Sequence, residues 1–330
     1  MTRLSLAAAE DLGSRALRAN RVGALQARST ARALVAADAD GLETHGVARV
    51  PAYAAQARVG KVEGFAEPKL ERLRPGLIRI DAGHGYAFPA LDLAVEALPE
   101  IARTQGIAAA YIARSHHFGQ GGRPCEQLAE QGFCALLFGN AGKSIAPWGG
   151  RKPLLGTNPI CFAAPLPEGA PLVIDMAVSR VARGKVILAA RRGESIPDNW
   201  AFDPEGRPTT DARAALAGTM APMGEAKGAA LALMVEVLAA GLVGSSLGAF
   251  SSGVVSAEGG PPDLGQTLIA VDAAASPAFP ERMAELAALY AEDGARMPGT
   301  RRLAARAEAA RDGLDLPEEL VAELEALAAS

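Results

Sequence analysis

Aromatic side chains are scarce in this chain, 5% of 330 residues, too few for a platform on which nucleic-acid bases stack. An excess of one charge is also missing. With 33 basic and 37 acidic residues the net charge is -4, so no polyanion partner is expected. The only cysteines are Cys125, Cys134 and Cys161. Odd in number and unevenly spaced, they make neither a disulfide framework nor a CxxC site, and a reducing cytoplasm is the expected compartment. No window of about eighteen residues is free of charges and breakers, so no membrane span is expected. Met1 to Ser5 leads directly into a charged helical pattern, without the apolar run of a signal peptide.

Two nucleotide signatures are absent as well. No GxGxxG follows any strand, and Gly83-His84-Gly85-Tyr86-Ala87-Phe88 lacks the third glycine, so a Rossmann fold is not expected. Gly139-Asn140-Ala141-Gly142-Lys143-Ser144 has Leu137 where a phosphate loop needs its first glycine, and Pro147 where the helix must run.

What is present is a chain with 49% apolar residues and a mean hydropathy of +0.12, long enough for about two domains. Residues 5–60 read as helices. Ser5 caps the first, the second runs from about Ala24 to Asp38, and Asp40-Gly41 breaks it. A third helix is expected from Thr44 as N-cap, carrying His45, Arg49, Tyr53 and Gln56. Positions i and i+4 share a helix face, so the His45 imidazole and the Arg49 guanidinium would point into one space, one moving a proton and the other clamping a carboxylate. In the first turn of a helix the His45 imidazolium would be disfavoured.

From about residue 76 strands and helices alternate. Leu77 to Ile80, Gly106 to Ala113, Phe133 to Phe138, Leu172 to Asp175 and Gln266 to Val271 read as strands, and Leu91 to Thr104, Val181 to Arg192 and Ala226 to Leu242 as helices. The last of these is apolar enough to suggest burial on two sides. Residues 139–165 read mostly as loop. Helix returns after Pro280. The expected fold class is α+β: a helical domain from residues 1–75 and 280–330, with a mixed-sheet domain of residues 76–279 inserted between them.

Several side chains stand out in that domain. His116-His117 ends a strand ahead of Gly119, Gly121 and Gly122, which suits close approach to a ligand or a structural hydrogen bond equally well. Adjacent side chains diverge, and no further ligand stands at metal spacing, so no metal is expected. Asp175 can accept from a ligand hydroxyl or cap the next helix. Lys227 is a cation for a phosphate or a surface lysine.

Taken together, ETHGVAR (43–49), SHHFG (115–119), APWGGRKPLLGTNPI (146–160), VIDMAVSRVARGKV (173–186), GESIPDNW (193–200), GRPTTDARAALAG (206–218), GEAKGAALALMVEVL (224–238) and RMPGTRR (296–302) resemble the second type of malate/L-lactate dehydrogenase. These are NAD(P)-dependent and unrelated to the Rossmann enzymes. The resemblance spans nearly the whole chain and implies a homodimer interconverting small 2-hydroxy and 2-oxo acids. It implies His45 as proton donor, Thr44 orienting its ring, and Arg49, Thr157 and His117 holding substrate. His117, Phe118, Gly119, Gln120, Gly121, Asp175, Met176, Ala177, Lys227, Arg296, Pro298, Gly299, Thr300, Arg301 and Arg302 fall on the cofactor-contacting segments. Thr44 replaces the family's serine, His116 a common asparagine, GEAKG the usual GGYKG, and Thr300 the glutamate of PGE. The SHHFG and GEAKG variants resemble the sulfolactate dehydrogenase branch most. Other members reduce cyclic imino acids.

Overall fold

A computed structural model describes residues Met1–Ser330. Its helical layer is α1 (Leu6–Ala19), α2 (Ala24–Ala39) and α3 (Val50–Arg58), joined at the far end of the chain by α10 (Thr300–Asp312) and α11 (Glu318–Ala329). Ser5 caps α1 by accepting from the Ala8 amide. The two termini are tied by a ribbon that hydropathy did not suggest, β1 (Thr2–Leu4) pairing antiparallel with β11 (Leu314–Leu316). Leu12, Leu17, Leu34, Val50 and Tyr53 pack with Leu314, Leu316, Val321 and Leu324 in one core, each large side chain contributing roughly 1.5–3 kcal/mol by leaving water.

The inserted region is built on a seven-stranded sheet of β2 (Lys69–Arg74), β3 (Leu77–Asp81), β4 (Ile107–Ser115), β10 (Leu264–Asp272), β5 (Phe133–Gly139), β6 (Ile160–Ala164) and β7 (Leu172–Met176), in that spatial order. Five of its six pairings are antiparallel, and only β3 with β4 is parallel. Successive residues of a strand face opposite sides. Ala135, Leu137, Leu268 and Ala270 therefore meet α4 (Ala87–Gln105) and α5 (Gly122–Ala129). Leu136, Phe138 and Ile269 meet Val235 of α8 (Ala226–Glu236) and Ala239 in the π-turn that continues it. The edge strand β2, KLERLR, is exposed and charged, which discourages pairing with another sheet. A third core gathers α6 (Arg183–Arg192), the short ribbon of β8 (Ala201–Phe202) with β9 (Thr219–Met220), and α7 (Ala212–Ala217). The exposed α9 (Phe279–Glu292) leads back to the helical layer.

Two expectations are corrected and one is refined. The sheet starts at Lys69, so a boundary at residue 75 falls in the turn of the β2–β3 hairpin. Residues 139–165 are mostly loop, as expected, and close with β6, whose alternating Cys161 and Ala163 are buried while Phe162 is less so. Within one chain α8 is buried on one side only, leaving Leu233, Met234 and Val237 about half exposed.

Candidate active site

The expected helix from Thr44 is also corrected. Glu43–His45 and Val47–Arg49 are separate single 3₁₀ turns, and α3 begins only at Val50. Gly46 between them is extended at φ -88, ψ -159, and Thr44 is not a helix cap. Yet the pairing of side chains survives by another route. Thr44 Oγ1 lies 2.9 Å from His45 Nδ1, which fixes the ring and leaves Nε2 unencumbered. Arg49 folds back so that its Nε donates to the Thr44 carbonyl at 2.7 Å. No protein carboxylate pairs with Arg49, so the rest of its fork is available.

The loop after β4 brings a second imidazole. The His117 ring stacks on His45 with centroids 5.4 Å apart and planes 24° apart, and its Nδ1 is 2.6 Å from the Tyr53 hydroxyl. Burial pushes the Tyr53 phenol up, keeping it neutral. His116 turns the other way, into the core, with Nε2 2.7 Å from Gln56 Oε1. Burial, then Lys61 and Arg49, push His116 down to about 3, so it is a neutral structural ring. His45 is also lowered, first by burial and then by Arg49, with Asp175 opposing. The expected direction holds, but its cause is desolvation rather than a helix dipole. His117 lies lower still, through burial, Arg49 and its two histidine neighbours.

The remaining wall comes from the edge of the sheet. A Cβ on Gly184, near the start of α6, would meet Thr44 Cγ2 at 3.4 Å, so α6 abuts the catalytic turn. Thr157 accepts from the Val178 amide at 2.9 Å. Its neighbour Asn158 sits at φ +35, anchored by its amide to the Ala232 carbonyl and Glu236, each at 2.8 Å. Asp175, next to last in β7, accepts from the Gly122 amide at 2.8 Å, so it ties the glycine loop to the strand. Residues Tyr53, Asn158 and Glu236 had no role in the sequence reading. An asparagine between Thr157 and Pro159 was the one available hint, since asparagine tolerates positive φ.

Of the cofactor candidates, Phe118 to Gly121 form the loop beside His117, and Asp175, Met176 and Lys227 are exposed. Gly299, at φ +93, lies close to the Val173 carbonyl of β7, bringing Arg296, Pro298, Thr300 and Arg301 to the same edge. Thr300 uses its hydroxyl on the Met297 carbonyl. Arg302 is committed elsewhere, to Asp40 at 3.1 Å and Glu126 at 2.8 Å. The residues at this edge fit a dinucleotide. Arg296 and Arg301 are cations without carboxylate partners, and Met176 offers an exposed apolar face.

Hydride arriving at a carbonyl carbon leaves an oxyanion that needs a proton and, in an acid, a carboxylate that needs an anchor. Two adjacent turns of this chain carry groups of these two kinds, His45 and Arg49, which suits a dehydrogenase of small acids. The sequence model of the malate/L-lactate dehydrogenase family matches residues 4–325, and the chain belongs to that family. It is 50% identical over 329 residues to a (2R)-3-sulfolactate dehydrogenase (NADP(+)) of Chromohalobacter salexigens, covering 99% of this chain and 98% of that one. It is 41% identical over 332 residues to a Delta(1)-pyrroline-2-carboxylate/Delta(1)-piperideine-2-carboxylate reductase of Pseudomonas aeruginosa, covering 99% of each. The crystal structure of delta1-piperideine-2-carboxylate reductase from Pseudomonas syringae superposes with a TM-score of 0.93 at 36% identity, covering 99% of this chain and 100% of that one.

Replacing Arg49 with lysine is expected to raise KM for the acid about tenfold or more with a smaller change in kcat, because an ammonium cannot make the planar two-point contact. Steady-state kinetics at saturating cofactor check this, and an unchanged KM removes Arg49 from substrate binding.

Proposed function

We propose that this enzyme interconverts a 2-hydroxy acid carrying a second anionic group, of the 3-sulfolactate type, with its 2-oxo acid, using NADP in preference to NAD. The observation that carries the reading is the His45 imidazole, tied through Nδ1 to Thr44 and flanked by an arginine without a protein carboxylate. Bound reduced nicotinamide supplies the hydride. His45 Nε2 delivers the proton to the carbonyl oxygen, Thr44 holds the ring, and Arg49 takes the C1 carboxylate. His117, held by Tyr53, and Thr157 close on the substrate from the sheet side. The second anion finds support in Arg183, whose half-buried guanidinium donates to Ser144 Oγ at 2.8 Å and has no acidic partner. Burial lowers its pKa, so an anion there is favoured. The sulfolactate dehydrogenase relative supports the same choice of acid and of cofactor.

A reductase of cyclic imino acids is the second reading, favoured by the relatives from Pseudomonas; His45 would then protonate an imine nitrogen. The fold is of the non-Rossmann kind. We also read the molecule as a homodimer in which a second copy covers Leu233 and Met234 on α8 and Val237 in the π-turn that continues it. Cys125, Cys134 and Cys161 as free thiols suit the cytoplasm. No helix is long and apolar enough to cross a membrane.

A panel of 2-oxo acids with and without a 3-sulfonate, together with cyclic imino acids, separates these readings when each is run with NADPH and NADH at about 340 nm, the readout of hydride transfer. The highest kcat/KM is expected for the 3-sulfo acid with NADPH. Preference for a cyclic imine establishes the second reading, and no turnover with any member ends both.

A further inference from the structure

Gly46 is the hinge between the turn that carries His45 and the turn that carries Arg49, and something must fix its angle. The Gly46 amide donates to the Glu43 carbonyl at 3.2 Å, closing the first turn. The extended ψ at Gly46 then turns the Val47 amide away from the chain before it. Its acceptor comes from α2: Asp38 Oδ2 receives the Val47 N–H at 2.8 Å. The same carboxylate fills the space over Gly46, where a Cβ would fall 1.7 Å from Asp38 Oδ1. Asp38 therefore supplies the hydrogen bond that a continuous helix would have made internally, and it blocks any residue but glycine at the hinge.

We propose that Asp38 is the positioning residue of this active site, setting the spacing between the His45 imidazole and the Arg49 guanidinium from beneath Gly46. The inference rests on the reading of His45 and Arg49 given above. Its surroundings argue against a stabilising role. Asp38 is half-buried and shares a cavity of about 230 Å³ with Glu43, Glu308, Asp312, Asp315 and Arg3, and Arg3 is spoken for by Asp315 at 2.7 Å. Burial and Glu43 outweigh the Val47 amide and raise the Asp38 carboxyl to about 6. A native acid whose pKa is raised binds protons more tightly than the unfolded chain, so this group lowers stability as pH climbs from 3.8 through about 6. A charge held at such a cost is explained by the geometry it enforces.

Asp38→Ala and Asp38→Asn test this. Alanine removes the acceptor, and kcat/KM for the acid is expected to fall about tenfold or more, with a rise in KM, while reduced-cofactor affinity stays within about twofold. Asparagine keeps an acceptor oxygen and is expected to restore activity to within about threefold of the parent. It should also unfold at a higher temperature than the parent at pH 8, with the gain gone at pH 4. NMR titration of the His45 ring gives a readout that needs no turnover: in Asp38→Ala its pKa should move from its lowered position toward 6.5. Parental KM and kcat in the alanine variant, asparagine no better than alanine, or an unmoved His45 titration each overturns the proposal. Turnover surviving in His45→Ala overturns the underlying functional reading instead, and the ring titration still judges Asp38.

Discussion

His45→Ala is expected to lower kcat for carbonyl reduction by roughly 10²–10⁴-fold, the range for loss of a positioned general acid, while reduced-cofactor affinity is retained. The cost is large because, in the proposed reaction, His45 Nε2 is the group that delivers the proton. His117 stacks 5.4 Å from His45, but its Nδ1 is tied to Tyr53 and its position serves the opposite wall. Thr44→Val, which removes only the tether at Nδ1, should cost about tenfold or less. The pH dependence follows from the required protonation state. Reduction consumes the imidazolium, and burial with Arg49 places its pKa below 6.5 in the free protein. Reduction should therefore weaken as pH rises through that value, and oxidation of the hydroxy acid, which needs the neutral ring, should strengthen. A His45→Ala enzyme within about tenfold of the parent would sink the assignment.

The periodic parts of the fold were legible in the sequence, and contacts between distant segments were not. The strands at 107–115, 133–139 and 264–272 announce themselves by continuous apolar runs, because both faces of the sheet are covered. β6 was hidden, since five residues among glycines and prolines give too short a pattern to read. The His45, Arg49 and Tyr53 spacing mimics a helix. What breaks it is Gly46 together with the Asp38 carboxylate, which takes the Val47 amide from nine residues upstream of it, a tertiary bond that no local pattern contains. The proximity of Thr44, His45 and Arg49 was nonetheless readable, because they are neighbours in the chain. Their buttresses Tyr53, Asn158 and Asp38 look like ordinary helix and loop residues until the fold joins them.

Arg302 illustrates the same limit and carries the second large prediction. With Arg306 it enters a nearly dry cluster around Asp40 and Glu126, whose side chains are 0% and 1% exposed. Arg306 reaches Asp40 at 2.7 Å and Glu126 at 2.8 Å, Gln120 donates to Asp40 at 2.6 Å, and Arg123 to Glu126 at 2.6 Å. These bonds fasten α10 to the end of α2, just before the catalytic turn, and to the loop beside His117. Asp40→Ala should destabilise the protein by about 3–5 kcal/mol, because it leaves two desolvated guanidinium groups sharing one carboxylate. In a chain of this size that is a drop in unfolding midpoint of about 4–7 °C. Burial pushes the Glu126 carboxyl up, but its bonds to Arg302, Arg306 and Arg123 prevail and hold it at about 2. A depressed acid contributes fully above its unfolded value of 4.5 and loses that contribution as pH falls toward 2. The parent should thus lose thermal stability across that window. Replacing Asp40, Glu126, Arg302 and Arg306 together with apolar residues of similar size should cost less than Asp40→Ala alone, since these charges must otherwise be stripped of water. Thermal unfolding at pH 7 and pH 3 decides it: a loss under about 1 kcal/mol in Asp40→Ala would mean that water, rather than protein, already satisfies these charges.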